Sequence, residues 1–222
     1  MANNFGAVDL FGLANASFVC IEADDGMESE NDVGADNMGS FLADTDYVFN
    51  RKRVVSVTYQ ANTITGALMF PTVVLGGEMN DYTLTAARIE MDNKSRLRLT
   101  IDGHLHEDVD GDGGHLVNTH TVAFPSISHG FGCSLLVGGN IPEEGIQRAT
   151  WSIEIGHVDE DGNLGNQFIG RSQGVRVEAT LEAVSDVEPT VDAAWKLDSF
   201  QKPRTNAGMY RVSLSAHKVL AD

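Results

Sequence analysis

The chain predicts an all-β fold, mainly antiparallel, of the sandwich or barrel kind, with one short flanking helix and long loops. Three observations carry this expectation. From Arg96 to His106 apolar and polar residues alternate without a break. A period of two means an extended strand with one dry face and one wet face. The same alternation returns at Arg148–Val158 and Gly174–Val184. The 23 glycines against 5 prolines supply turns between many strands.

The leading stretch sets the pattern. Leu97, Leu99, Ile101 and Leu105 fall on one face with Gly103, while Arg96, Arg98, Thr100, Asp102, His104 and His106 fall on the other. At ~3.3 Å per residue it spans ~36 Å, roughly twice the usual strand. It runs into the acidic, glycine-rich turn Glu107–Gly114.

In chain order, Ser17–Ile21 allows a first short strand. Residues 22–46, acidic and rich in glycine and asparagine, read as a long loop that needs neighbouring subunits to order it. Residues 1–50 thus form an acidic arm and loop, and residues 51–222 a single β domain. Arg51-Lys52-Arg53 leads into a strand at Val54–Ala61. Ala67–Leu75 is a more continuous apolar run that suits a buried strand. Asp81–Met91 follows Gly76-Gly77, and Asp92-Asn93 turns into the long strand. Leu116–Phe124 and Gly132–Val137 read as further strands.

Arg148–Val158 places Ala149, Trp151, Ile153 and Ile155 on one side, and Gly174–Val184 does the same with Val175, Val177, Ala179 and Leu181. The core is therefore expected to hold Leu97, Leu99, Ile101, Trp151, Ile153, Val177 and Leu181. Gly103-His104-Leu105-His106-Glu107-Asp108 is echoed by Gly156-His157-Val158-Asp159-Glu160-Asp161, as though marking two equivalent sheet edges. Pro189–Phe200 is the helix candidate: Pro189 suits a first turn, and Val191, Ala194 and Trp195 share a helical face. Met209–Leu220 closes the chain as a strand.

Charge narrows the function classes. The net charge is −17, from 32 acids against 15 bases. Ten acids precede Arg51, the first Lys or Arg. Direct nucleic-acid binding is disfavoured, because phosphate contact needs clustered bases. Without an early base or a continuous apolar run, no export signal is expected, and no membrane-spanning segment either. Cys20 and Cys133 form no Cys-x-x-Cys, and a reduced chain is expected.

Candidate chemistry is sparse. His104 and His106 sit two apart on a strand, a spacing metal sites use, and His115 and His120 follow. This bare His-x-His resembles a cupin. It departs from that family's motif, since Arg98 stands where the upstream Gly would fall, and Asp110 is the nearest match to the downstream Glu. The alternative is a wet strand face that carries two histidines. Asp108, Asp110 and Asp112, with Gly113 sixth, begin like an EF-hand calcium loop, but Thr119 occupies the position of the bidentate Glu and the flanks read as strands. A polar hairpin loop accounts for it, and equally for Asp159–Asn163. No Gly-x-Ser-x-Gly elbow, activated cysteine or phosphate loop is present in the sequence. The expectation is a protein that is not an enzyme, with no catalytic residue, cofactor or metal.

Taken together, the acidic N-terminal stretch ending near Tyr47-Val48-Phe49, the basic step into Val54–Gln60, the paired long hairpins, the flanking helix and the closing strand resemble a long-tailed bacteriophage virion protein, most of all a tail-tube subunit. The resemblance is of pattern and covers most of the chain. It implies hexameric rings that self-assemble into a tube with an acidic lumen for DNA passage, in a virion assembled in the host cytoplasm. The partners are then copies of the chain and other virion proteins. Such a lumen makes physical sense, because a wall that repels phosphate lets DNA slide without sticking. A capsid decoration or head–tail joining protein and a cupin-like metal-dependent enzyme are the alternatives.

Overall fold

A computed structural model describes residues 8–32, 47–63, 68–106, 118–125, 145–161 and 167–220. The chain is nearly all β, with 64% strand against 1% helix, so the expected class holds. Among the described residues there are eleven strands: β1 Phe18–Asp32, β2 Tyr47–Ala61, β3 Val74–Leu75, β4 Glu78–Met79, β5 Tyr82–Asp92, β6 Arg98–His106, β7 His120–Thr121, β8 Ile146–Asp161, β9 Gln167–Ser185, β10 Lys196–Gln201 and β11 Tyr210–Leu220. The main sheet has the order β1-β2-β6-β5-β8-β9-β11-β10, with β4 beside β5, and every pairing in it is antiparallel. A small β3–β7 sheet is separate.

Register converts the sequence alternation into two faces. Tyr59, Leu99, Ile89, Trp151, Ala179 and Ala216 are successive cross-strand partners, and all are buried. Val57, Ile101, Ala87, Ile153 and Val177 make a second dry row. All seven core residues expected from the alternation are buried. The opposite face is polar. Thr58, Thr100, Arg88, Ser152, Glu178 and His217 run across it, and Thr150 lies 2.6 Å from Thr180 between hydroxyl oxygens. Cross-strand pairs of this kind each stabilise a sheet by about 0.2–1 kcal/mol.

The dry face is covered by irregular chain. Residues 8–18 bring Phe11, Leu13 and Phe18 onto it. Gly103 interrupts the apolar row of β6 because a Cβ there would sit 3.3 Å from the Phe11 ring and 3.0 Å from the Thr83 carbonyl oxygen. Further along, Val73, Leu75 and Val122 of the small sheet and its flanks join the same core. Phe70 stacks on Phe124 at 4.7 Å, and Phe124 lies 5.8 Å from Trp151. Asn80 and Asp81, both at positive φ, form the two-residue turn between β4 and β5.

Four expectations need correction. Pro189–Phe200 is no helix. Asp192 Oδ1 accepts the Ala194 N–H at 2.9 Å and the Asp192 carbonyl accepts the Trp195 N–H at 3.1 Å, which makes one isolated turn. Lys196–Gln201 then pairs with β11 as an edge strand, because its ladder bonds satisfy more backbone than a lone short helix would. Ala67–Leu75 keeps only Val74–Leu75 as strand among its described residues, since Pro71 has no N–H to give a ladder. Leu116–Phe124 keeps only His120–Thr121 as strand among its described residues. Residues 22–32 are not loop: β1 runs 15 residues and pairs with β2 from Phe18↔Ala61 to Asp32↔Tyr47. The boundary at residue 50 therefore falls inside β2. Residues 33–46 and Gly132–Val137 lie outside the described residues.

Candidate functional site

Register places both long hairpins at one end of the sheet. β6 and β8 run toward that end, where β2 and β5 begin. β2 meets β6 as far as Lys52↔His106, and among the described residues Tyr47, Val48 and Phe49 pair only with β1. Similarly β5 leaves β8 at Ala86↔Glu154 and β11 leaves β9 at Leu220↔Val175, so Gly156–Asp161 and Gln167–Gln173 pair only with each other among the described residues. The Gly-His echo thus marks one end of the sheet twice, on two interior strands, rather than two edges.

The histidines take a different environment from the one expected. His104 and His106 do share a face, the one carrying Thr100 and Asp102, but they are 7% and 9% exposed instead of solvent-facing. Their rings meet edge to face with centroids 5.1 Å apart. β6 is an interior strand, flanked by β2 and β5 at His104, so this position is hemmed in on both sides. His120 lies across the sheet, among residues of the dry face. His115, Asp108, Asp110 and Asp112 lie outside the described residues. Among the described residues, no group of three His, Cys, Asp or Glu side chains could hold a metal.

The acidic hairpin makes its ion pairs within the chain. Arg53 Nε donates to Asp25 Oδ1 at 3.3 Å and its Nη2 contacts Oδ2, while Lys52 Nζ lies 3.7 Å from Glu28. Antiparallel register brings these partners side by side, so Lys52 and Arg53 meet acids of their own chain. Met27 is 56% exposed and Val19 42%, so the arm buries little.

At the other flank, Asp9 anchors the segment that covers the core. Its carboxylate accepts the N–H groups of Gly12 and Ala14 at 2.9 and 2.8 Å and the Tyr59 hydroxyl at 2.5 Å. Burial first, then the hydrogen bond and charge of Asp9, push the Tyr59 phenol well above its ordinary value. Nearby Cys20 is a free thiol, also raised, by burial and then by Asp9.

One cavity of about 190 Å³ opens on the dry face under β8, β9 and β11. Its lining includes Trp151, Trp195, His120 and Lys218. Trp151 was legible as a core residue. Lys218 was not, because one lysine in a closing strand gives no sign of the face it takes.

No protein-family model matches the chain, and no curated protein matches it.

Proposed function

We propose that the chain is a non-enzymatic structural subunit of a phage virion that assembles with copies of itself into stacked rings, forming a tail tube with an acidic lumen. One observation carries this reading: two long hairpins leave the same end of the sheet and, among the described residues, continue beyond the strands that flank them. A two-stranded hairpin is marginal in water by itself and gains stability by packing on something else. A neighbouring copy supplies that surface at both hairpins at once. The net charge of −17 fits a wall along which DNA passes without adhering.

Electron microscopy of the purified protein tests the proposal directly. Stacked rings or tubes support it. Particles that remain monomeric at high concentration overturn it. Rings that never stack, or a trimeric cap, favour a joining or capsid-decorating role, and stoichiometric zinc, iron or manganese held by His104 and His106 would instead favour the cupin-like enzyme.

A further inference from the structure

We propose that the cavity under β8, β9 and β11 binds a small, flat aromatic carboxylate, held against its tryptophan-lined wall and anchored by Lys218. This inference is independent of the assembly reading.

The register makes Lys218 anomalous. Along β11, Val212, Leu214 and Ala216 are buried and alternate with polar residues. Lys218 continues the dry series: its partner on β9 is Val177, the last member of the row Val57, Ile101, Ala87, Ile153. A cation thus stands where five strands in succession place an apolar or small side chain. Lys218 is half-buried there, and lysines avoid full burial unless paired, because desolvating an ammonium is costly. Among the described residues Lys218 makes no ion pair or hydrogen bond. Its Nζ lies 4.8 Å from the centroid of the Trp195 ring, a cation–π contact that leaves its three N–H donors for another partner.

The space beside it has the size and character of a ring. The cavity holds about 190 Å³. An engineered apolar cavity of about 150 Å³ takes up benzene, so the extra room here admits a ring that carries a carboxylate. Trp151, Ile153, Val177 and Trp195 supply apolar and aromatic wall, while Lys218 and His120 supply the polar groups. Many apolar contacts and a few convergent polar ones are what a small-ligand site needs. A single point charge with apolar walls matches a monoanion with a flat body, and it leaves a bulky or multiply charged anion poorly solvated.

The simple structural alternative is a lysine lying on Trp195 with its head in water. The two readings differ in selectivity. Both tryptophans of the chain line the cavity, so tryptophan fluorescence, excited apart from the tyrosines, reports on this site alone. The experiment titrates the full-length protein with benzoate, with neutral benzamide and with cationic benzylamine, then repeats the series on Lys218→Met. Benzoate is expected to give a saturable change and to bind about tenfold tighter than benzamide, as a charge-assisted hydrogen bond does over a neutral one. Benzylamine is expected not to bind, and the benzoate preference is expected to vanish in Lys218→Met. No saturable response to benzoate, equal affinity for benzamide in the wild type, or a preference that survives in Lys218→Met overturns the proposal. Should Lys218→Met fail to fold, the wild-type series and the loss of benzoate affinity with added salt decide the matter on their own.

Discussion

The two long hairpins, β1–β2 and β8–β9, are built alike and held differently. They pair antiparallel over thirteen and fifteen positions and, among the described residues, run past their neighbours at the same end of the sheet. Yet β8 and β9 sit between β5 and β11, and every second residue of their inner halves is buried, from Ala149 to Ile155 and from Val175 to Ala183. β1 is an edge strand, and from Ile21 to Ser29 Ala23 alone is half-buried, the rest being exposed. The lesson is that strand length and strand anchorage are separate properties. Backbone hydrogen bonds align a hairpin, but apolar burial on one face fixes it, at roughly 25 cal/mol per Å² removed from water.

The largest expected difference comes from truncating one apolar residue in each hairpin. Leu181→Ala, at 1% exposure, is expected to cost about 2–5 kcal/mol in urea unfolding. Met27→Ala, at 56% exposure, is expected to stay within about 0.5 kcal/mol. Equal losses would break the contrast between anchored and aligned hairpins.

Next in size is the Asp9 anchor. Tyr59→Phe removes the hydroxyl donor but leaves Asp9 its two backbone N–H partners, so a loss of about 1–3 kcal/mol is expected by the same measurement. The sign of its pH dependence follows from the raised phenol. The unfolded tyrosine ionises near pH 10 and the folded one only well above that, so its contribution is complete below about pH 10 and lost as pH rises further. Wild-type stability should therefore fall more steeply above about pH 10 than that of Tyr59→Phe. Parallel curves would remove Tyr59 as the cause.

Smallest is the ion pair of the arm. Asp25 and Arg53 are about one-third exposed on their side chains, so a double-mutant cycle with Asp25→Ala and Arg53→Ala is expected to give a coupling below about 1 kcal/mol that shrinks with salt. A larger, salt-insensitive coupling would mean the arm is anchored by charge after all.

These contrasts also explain what could be read in advance. Alternation over a buried face survives in the residues themselves, which is why β5, β6, β8, β9 and β11 and the seven core positions were legible. Only the start of β1 was legible, at Ser17–Ile21; the rest was not, because a strand held by its ladder and by ion pairs has no dry face to advertise. β10 was misread for a related reason. Val191, Ala194 and Trp195 fit a helical spacing, but the edge of β11 offers backbone partners to the residues just beyond them. Pattern periodicity reports burial, and edge strands bury little.

The sequence by itself determined the antiparallel all-β class, the members of the dry rows and the acid excess, because each is a property of neighbouring residues or of their sum. Only the tertiary structure decided that both hairpins leave one end, that His104 and His106 are buried away from His120, and that Lys218 faces the tryptophans. Those facts depend on strand order and register, which bring together residues as distant as Tyr59 and Ala216 through bonds between backbones that every residue but proline can make.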